Sequence, residues 1–251
     1  MTTFEKSVFF FYLFIGYPAS LLAQDSIPAP IADIDIQFSH KQLIVPLSLI
    51  TVGSVVALTE QGKSLNKDIK KEMSEIRTNY IHVDDYIQYV PAVSVFGLSL
   101  IGAKAKHNYC DQALVVATAY LSEMVLVNSV KYSVRHPRPD DPSQSNSFPS
   151  GHTATAFVGA EIVRREYWDD SPIYGIVAYA IATTVGVLRV YNERHWATDV
   201  IAGAGFGIVS AQIGYWLLPI NKRLFHFGNN QLTFSPYYTK RQGGLSISYR
   251  F

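Results

Sequence analysis

The sequence predicts an all-α fold, a bundle of about six helices that is largely embedded in a membrane. Charged residues make up only 16% of the chain and hydrophobic residues 48%, whereas roughly a quarter of the residues in a soluble domain are charged. Apolar stretches close to the length that crosses a bilayer as a helix, about 17–25 residues, recur along the chain. They occupy residues 43–59, 86–103, 112–130, 173–188 and 200–221, and a shorter sixth helix is predicted over 150–163.

These stretches are apolar on all sides rather than on one face. Helices of a soluble bundle, which is the alternative, carry polar residues at helical spacing on their outer face. Residues 173–188 and 200–221 show no such face, and 112–130 carries a single charge, Glu123. Small residues that allow helix backbones to approach closely in lipid cluster in the last stretch: Ala202, Gly203, Ala204, Gly205 and Gly207.

The two ends of the chain differ from this apolar middle. Residues 7–24 are uncharged and precede a polar segment with prolines, a layout typical of a secretory signal peptide that is cut after Ala23. An uncleaved anchor is the alternative for residues 1–24, and residues 25–219 form the predicted bundle. In the tail, residues 220–251, alternating apolar residues flank a Gly-Gly turn and predict a small β-hairpin.

Residues 60–85, between the first two apolar stretches, are densely charged. Ile69, Met73 and Ile76 fall at helical spacing, which predicts an amphipathic helix that lies at the membrane interface or packs on the bundle. A solvated helix with mixed charges is the alternative.

The charge balance and the cysteine content exclude several classes of protein. Lys and Arg total 21 and Asp and Glu total 20, so no basic surplus favours a nucleic-acid partner. Cys110 is the single cysteine, which excludes an intramolecular disulfide framework and a metal site built from cysteines.

Three short segments concentrate residues that suit phosphate chemistry. In the first, Lys131 and Arg138 are two cations that can hold non-bridging phosphate oxygens, Arg138 in a bidentate manner. In the second, Ser150 is a good N-cap, and Gly151 leaves its backbone N–H open to an anion at a helix N-terminus.

The third segment contains His195 and Asp199, four residues apart. On a helix these two side chains share a face. Asp199 can then accept a hydrogen bond from the Nδ1–H of His195, fix its tautomer and leave Nε2 free to attack. The pair therefore predicts a histidine nucleophile.

The motifs in order are Lys-x6-Arg-Pro, Pro-Ser-Gly-His and Arg-x5-His-x3-Asp. This order resembles the type 2 phosphatidic acid phosphatase superfamily, which includes membrane lipid phosphatases, bacterial acid phosphatases and vanadate haloperoxidases. The resemblance covers about residues 43–219, and ten fixed residues at roughly one in twenty each do not assemble in this order by chance.

The resemblance implies a role for each motif residue. The phosphate would be held by five of them: Lys131, Arg138, Arg189, Ser150 and the N–H of Gly151. Since three cations and helix N–H groups already neutralise the transferred phosphoryl group, neither a metal nor a cofactor is expected.

The resemblance also implies which groups carry the reaction. His195 would be the nucleophile and form a phosphohistidine that water later hydrolyses. Asp199 would orient His195. His152 would protonate the leaving oxygen and then activate the water.

Two features depart from the pattern of the family. Leu188 stands where the third motif usually has Ser, so one hydroxyl contact is lost or comes from Thr198 or Tyr191. The linker 140–148 is short, with nine residues, and leaves little room for a substrate-selective loop. Neither departure removes a catalytic group.

The resemblance thus implies a metal-independent phosphatase that acts on phosphate monoesters or pyrophosphates of lipid-like substrates. Phosphatidic acid, phosphatidylglycerol phosphate, prenyl pyrophosphate and lipid A phosphates all fit the chemistry. The alternatives are an exported acid phosphatase of broad specificity, a vanadate haloperoxidase, and a membrane lipid-binding protein without catalysis.

The loop charges predict a bacterial inner-membrane protein whose site faces the periplasm; an exported periplasmic form is the alternative. Short basic turns opposite the motifs fit a cytoplasmic face: Lys104, Lys106, Arg164, Arg165, Lys222 and Arg223. The N-terminus conflicts with this orientation. A cleaved signal at 1–24 followed by a span at 43–59 would put the motifs in the cytoplasm.

Overall fold

The computed structural model describes residues 38–224 in full and, beyond them, the backbone of two short strands. Eight helices follow one another over residues 38–224: α1 (Lys41–Leu58), α2 (Glu60–Ile76), α3 (Asp84–Ile87), α4 (Val90–Leu100), α5 (Tyr109–Val134), α6 (Gly151–Tyr167), α7 (Pro172–Tyr191) and α8 (Ala197–Leu224). The predicted all-α bundle is confirmed for this part of the chain, with two more helices than expected because the charged segment 60–85 forms α2 and begins α3.

Four of these helices, α1, α5, α7 and α8, are long and apolar enough to cross a membrane. They correspond to four of the five predicted stretches. The prediction of a spanning helix over 86–103 is wrong, because the chain forms the short α3, turns, and restarts as the 11-residue α4 at Val90, next to Pro91. At 1.5 Å per residue, α4 is about 16 Å long, roughly half of a bilayer core.

The helices run so that all three motifs meet at one end of the bundle, which we call the motif end. α5 ends there, α6 begins there, α7 ends there and α8 begins there. α1 begins at the opposite end, where the backbone carbonyl of Gln42 accepts a hydrogen bond from Gln212. Its Gly53 reaches the first turn of α8 beside Thr198 and Ala202.

α2 packs across the motif end. The side chain of Asn66 donates a hydrogen bond to Thr198 Oγ1 (2.9 Å), and Lys70 donates one to the backbone oxygen of Pro139 (2.6 Å). Arg77, which caps the helix, forms an ion pair of 2.8 Å with Glu193. The segment is therefore a packed helix rather than a solvated one.

The small residues of α8 set how closely the helices pack. A Cβ atom on Gly205 would lie 2.6 Å from the carbonyl oxygen of Pro46 in α1, and one on Gly203 would lie 2.6 Å from that of Ser150. On Gly207 it would collide with the carbonyl oxygen of Ala154 in α6. The predicted close approach of backbones along this helix is confirmed.

Gly207→Val should destabilise the bundle, because the new side chain must push α6 and α8 apart. Overpacking of a core costs about 1–3 kcal/mol. Gly97→Ala in α4 is the matched control, since no atom lies within 4 Å of its Cβ position, and it should leave stability unchanged or slightly higher. Thermal unfolding in detergent compares them; equal midpoints for both variants and the parent chain would contradict the packing argument.

Two segments with a predicted structure lie outside residues 38–224. The predicted signal peptide or anchor, residues 1–24, lies outside the described residues. In the tail, the backbone of β1 (Leu232–Thr239) pairs with β2 (Gln242–Tyr249) in antiparallel register. The side chains of both strands are outside the described part, so the hairpin as a packed element stays a prediction.

Candidate active site

The motif residues come together from four helix ends. The backbone N–H of Ser150 donates to the carbonyl oxygen of Asp199 (3.0 Å), which joins the second motif to the third. Lys131 Cε lies 4.0 Å from the position of a Cβ on Gly151, which brings the first motif to the start of α6. Three segments that are distant in sequence thus form one site.

His195 is buried, with 2% of its surface exposed, and it lies just before α8 rather than inside it. Its Nδ1 is 2.8 Å from the backbone oxygen of Ser147, an acceptor, so Nδ1 carries the proton and donates. Asp199 Oδ2 is 3.8 Å from the same nitrogen. The expected direct hydrogen bond from His195 to Asp199 is therefore wrong, because the helical spacing that predicted it begins only at Ala197.

Asp199 reaches His195 through Ser147. Its Oδ2 accepts hydrogen bonds from the Ser147 hydroxyl and from the backbone N–H of Trp196 (3.0 Å). The other oxygen, Oδ1, lies 3.4 Å from Nδ1 of His136. Sequence analysis missed Ser147 because nothing in the short linker distinguishes this serine from its neighbours, and its role depends on where the linker folds back.

Burial keeps His195 in the form that a nucleophile needs. Removal from water lowers the pKa of His195 to about 3, and the positive charges of Lys131 and Arg189 act in the same direction. The imidazole is therefore neutral at neutral pH. With the proton held on Nδ1, the lone pair is on Nε2.

Lys131 and Arg138 share one partner, Asn146. Lys131 Nζ donates to the backbone oxygen of Asn146 (2.6 Å), and Arg138 Nε donates to its side-chain oxygen (2.7 Å). Among the described residues neither cation has a carboxylate within ion-pair distance. Both positive charges are thus held in place by neutral oxygens and remain available to an anion.

Arg189 has a different environment. It is 6% exposed and pairs through Nη1 with Asp84 Oδ2 (2.7 Å) and, more distantly, with Asp85 Oδ1 (3.5 Å). Its Nε is buried without a hydrogen-bond partner in the described structure. Arg189 stays a predicted phosphate ligand, and α3 brings a carboxylate to one side of its guanidinium.

His152, in the first turn of α6, is also held by α3. Its Nε2 lies 2.9 Å from Oδ1 of Asp85, 67 residues away in the sequence. Nothing in the sequence marks Asp84 or Asp85 as site residues, since their charges resemble those of the polar segment around them. Only the docking of α3 on the motif end identifies them.

Ser150 and Gly151 form the N-terminus of α6. Ser150 is the N-cap residue, but its side chain makes no capping hydrogen bond to the helix backbone. Instead its Oγ lies 2.9 Å from the hydroxyl of Thr153, and the residue is fully buried. At Gly151 the Cβ position has no neighbour closer than 4.0 Å, so the first turn of the helix is open on that side.

The arrangement combines a neutral histidine, three cations and an open helix N-terminus at one point. Within the described part of the chain, no three His, Cys, Asp or Glu residues lie close enough to hold a metal ion. The groups that are present can bind an oxyanion and offer it a nitrogen nucleophile.

Two known lipid phosphatases are similar in sequence to about half of this chain. Lipid A 1-phosphatase of Porphyromonas gingivalis is 38% identical over 136 residues, which are 54% of this chain and 30% of that protein. Phosphatidylglycerophosphatase B of Bacillus subtilis is 26% identical over 148 residues, 55% of this chain and 71% of that protein. This chain thus spans less than a third of the length of the first relative.

A solved structure of similar sequence is a transmembrane PAP2 type phosphatidylglycerolphosphate phosphatase from Bacillus subtilis. It is 24% identical, with a TM-score of 0.49, and the similarity covers 72% of this chain and 96% of that one. A sequence model of the PAP2 superfamily matches residues 112–223, a range that contains all three motifs. Residues 112–223 are thus similar to the PAP2 superfamily, as the order of the motifs predicts.

Proposed function

We propose that this protein is a metal-independent phosphatase that cleaves phosphate esters or pyrophosphates of lipids through a phosphohistidine on His195. One observation carries the proposal. His195 is buried and neutral, donates its Nδ1–H to the carbonyl of Ser147, and lies in the same site as two cations without carboxylate partners in the described structure.

The reaction has two steps with one proton carrier. In the first, Nε2 of His195 attacks phosphorus, the bond to the leaving oxygen breaks, and His152 gives that oxygen a proton. In the second, His152 takes a proton from water as the water oxygen attacks phosphorus. The P–N bond then breaks, and inorganic phosphate leaves with both histidines restored.

The cations of the site would neutralise the negative charge of the phosphoryl group in both steps. Lys131, Arg138 and the Nε edge of Arg189 would bind the equatorial oxygens, and the open first turn at Gly151 adds backbone N–H groups. Their positions are fixed before the substrate arrives, so little reorganisation is needed during the reaction. Asp199 would act through Ser147, which it holds against His195.

Lipid phosphates are the proposed substrate class. The relatives are by name a lipid A 1-phosphatase and a phosphatidylglycerophosphatase, and four helices of this chain are long and apolar enough to cross a membrane. A head group at the membrane surface would meet the motif end without the lipid leaving the bilayer. The phosphate site itself reads only the phosphate, so the choice among lipids depends on contacts with the tail and head group.

A substrate panel tests the proposal. Purified protein in detergent is given phosphatidic acid, phosphatidylglycerol phosphate, a prenyl pyrophosphate, lipid A and p-nitrophenyl phosphate, with chelator present and with the His195→Ala variant as blank. Release of phosphate concentrated on one lipid and insensitive to chelator supports the proposal. Activity mainly on p-nitrophenyl phosphate would favour an acid phosphatase of broad specificity, and dependence on metal would contradict the mechanism.

We propose further that the protein lies in the bacterial inner membrane with the motif end facing the periplasm. Lys41 at the start of α1 lines a cavity of about 330 Å³ with Arg164 and Arg165, so α1 begins at the basic end of the bundle. A periplasmic site then requires residue 41 to be cytoplasmic. This orientation is incompatible with a cleaved signal peptide, and with an anchor at residues 1–24 it requires the N-terminus to be periplasmic.

The single cysteine reports the orientation. Cys110 is partly exposed at the end opposite the motifs, so a membrane-impermeant thiol reagent should not label it in spheroplasts. Ser145→Cys in a Cys110→Ser chain is the matched control, because Ser145 is exposed in the loop at the motif end, and it should be labelled. The reverse labelling pattern would overturn the orientation and leave the chemistry untouched.

A further inference from the structure

We infer that Asp85 is a positioning residue for the general acid–base His152, so that the site contains a carboxylate–histidine pair besides the nucleophile. The inference rests on the proposed function, because it assigns a task to a residue of the same site. Asp85 belongs to none of the three motifs. The contact that carries it is the 2.9 Å separation of Asp85 Oδ1 and His152 Nε2.

This contact decides which ring nitrogen can act on the substrate. A carboxylate only accepts hydrogen bonds, so the proton between the two groups is on Nε2 and is donated to Asp85. Proton transfer to the leaving oxygen, and from the water, must then use Nδ1. Asp85 thus fixes one tautomer and one ring orientation of His152, which a histidine in the first turn of a helix would not otherwise keep.

Asp85 is itself held in place by buried neighbours. The adjacent residue, Asp84, is 1% exposed and forms the short ion pair with Arg189. Asn192 holds the chain before α3 through two hydrogen bonds to the backbone of Ile81. Its Nδ2 donates to the carbonyl oxygen of Ile81 (2.7 Å), and its Oδ1 accepts from the backbone N–H of Ile81 (3.0 Å). α3 is therefore fixed to the end of α7, and Asp85 has a defined distance to His152.

Charge favours the same role. The hydrogen bond from His152 is the largest of the causes that lower the pKa of Asp85, so the carboxylate stays ionised at neutral pH. Burial lowers the pKa of His152 and Arg189 of α7 acts in the same direction, whereas the two carboxylates of α3, Asp85 and Asp84, oppose this shift. Asp85 is the one that touches it, and its negative charge stabilises the imidazolium from which the leaving group takes its proton.

Asp85→Asn tests the inference through two measurements, the pH profile of kcat and the loss of rate on two esters. Loss of the carboxylate lowers the pKa of His152, so the alkaline limb of the kcat profile, where the acid is lost, should move to lower pH. The variant should also lose at least about 10-fold on phenyl phosphate, a part of the factor of about 10²–10⁴ that a general acid contributes. On p-nitrophenyl phosphate, whose leaving oxygen needs less protonation, the loss should be several times smaller.

Two controls separate this role from a structural one. Glu60→Gln removes a carboxylate whose side chain is 85% exposed on α2 and should change neither the pH profile nor the rates. Asp85→Glu keeps the charge and should return part of the rate on phenyl phosphate. Equal losses of Asp85→Asn on both esters with an unmoved pH profile would mean that Asp85 only supports the fold, and the inference would fall.

A third outcome has a different meaning. Asp85 Oδ1 also lies 3.5 Å from Arg189, where a phosphate oxygen would bind. If Asp85→Asn turned over faster and bound orthovanadate more tightly, Asp85 would be an inhibitory occupant of the anion site and the inference would be overturned. Failure of the proposed function itself is distinguishable, because the unmodified chain would then release no phosphate from any lipid or ester of the substrate panel.

Discussion

Alanine in place of His195 should abolish turnover and the covalent intermediate together. Removal of the nucleophile from another covalent hydrolase costs a factor on the order of 10⁶ in kcat. Within residues 38–224, His195 is the one imidazole at the site whose Nδ1 donates to a carbonyl. Rapid mixing of labelled substrate with the parent chain should trap an acid-labile, base-stable phosphoprotein, as expected for a P–N bond. The variant should trap none.

The control for His195→Ala is the same substitution at a histidine outside the site, where it should not change activity. His40→Ala serves, since this residue is exposed at the opposite end of the bundle and makes no side-chain capping bond. His152→Ala forms the third arm and should lose most of the rate yet still bind orthovanadate. A His195→Ala protein that still formed labelled phosphoprotein would show that the nucleophile is another group.

Asp84→Ala should cost both stability and activity, because it leaves Arg189 charged and buried without its partner. Removing one member of a buried ion pair destabilises a protein by about 3–5 kcal/mol, and both side chains here are less than 10% exposed. Asp68→Ala, an exposed carboxylate of α2, is the control and should change stability little. Denaturant unfolding in detergent, followed beside phosphate release, measures both effects.

A double replacement separates the two losses. Asp84→Leu combined with Arg189→Met exchanges the ion pair for apolar side chains, which often restores or exceeds the original stability. Activity should stay lost, because the third cation of the site is gone. If Asp84→Ala alone unfolded with the parent's midpoint, the pair would be solvated in solution and its assigned role in holding α3 would be wrong.

The long apolar helices and the motif residues could be predicted because each depends on local sequence. Hydrophobic runs of span length identify α1, α5, α7 and α8, and fixed spacings identify residues such as Lys131 and Arg138. The exception is 86–103, which has the composition of a span. Its first residues belong to α3, whose Asp84 pairs with Arg189, and the helix that follows, α4, has only 11 residues.

The groups that support the motif residues could not be predicted in the same way. Ser147, Asn146 and Asp85 act through contacts that exist only after helices distant in sequence have docked. The spacing of His195 and Asp199 predicted a direct hydrogen bond that the structure does not contain. His195 lies before the start of α8, so its Nδ1–H donates to the carbonyl of Ser147, and Asp199 bonds the Ser147 hydroxyl instead. Spacing thus predicts which residues share the site, but not the contacts that hold them there.

Because the site groups lie together at the motif end, the site is near one surface of the membrane. Head groups lie at the two surfaces of a bilayer, and lipids exchange slowly between its leaflets without a transporter. With the proposed function, the protein would therefore act on the lipids of one leaflet only. A phosphorylated lipid made on the other side would stay untouched until it is moved across, so the supply of substrate would depend on flipping as much as on synthesis.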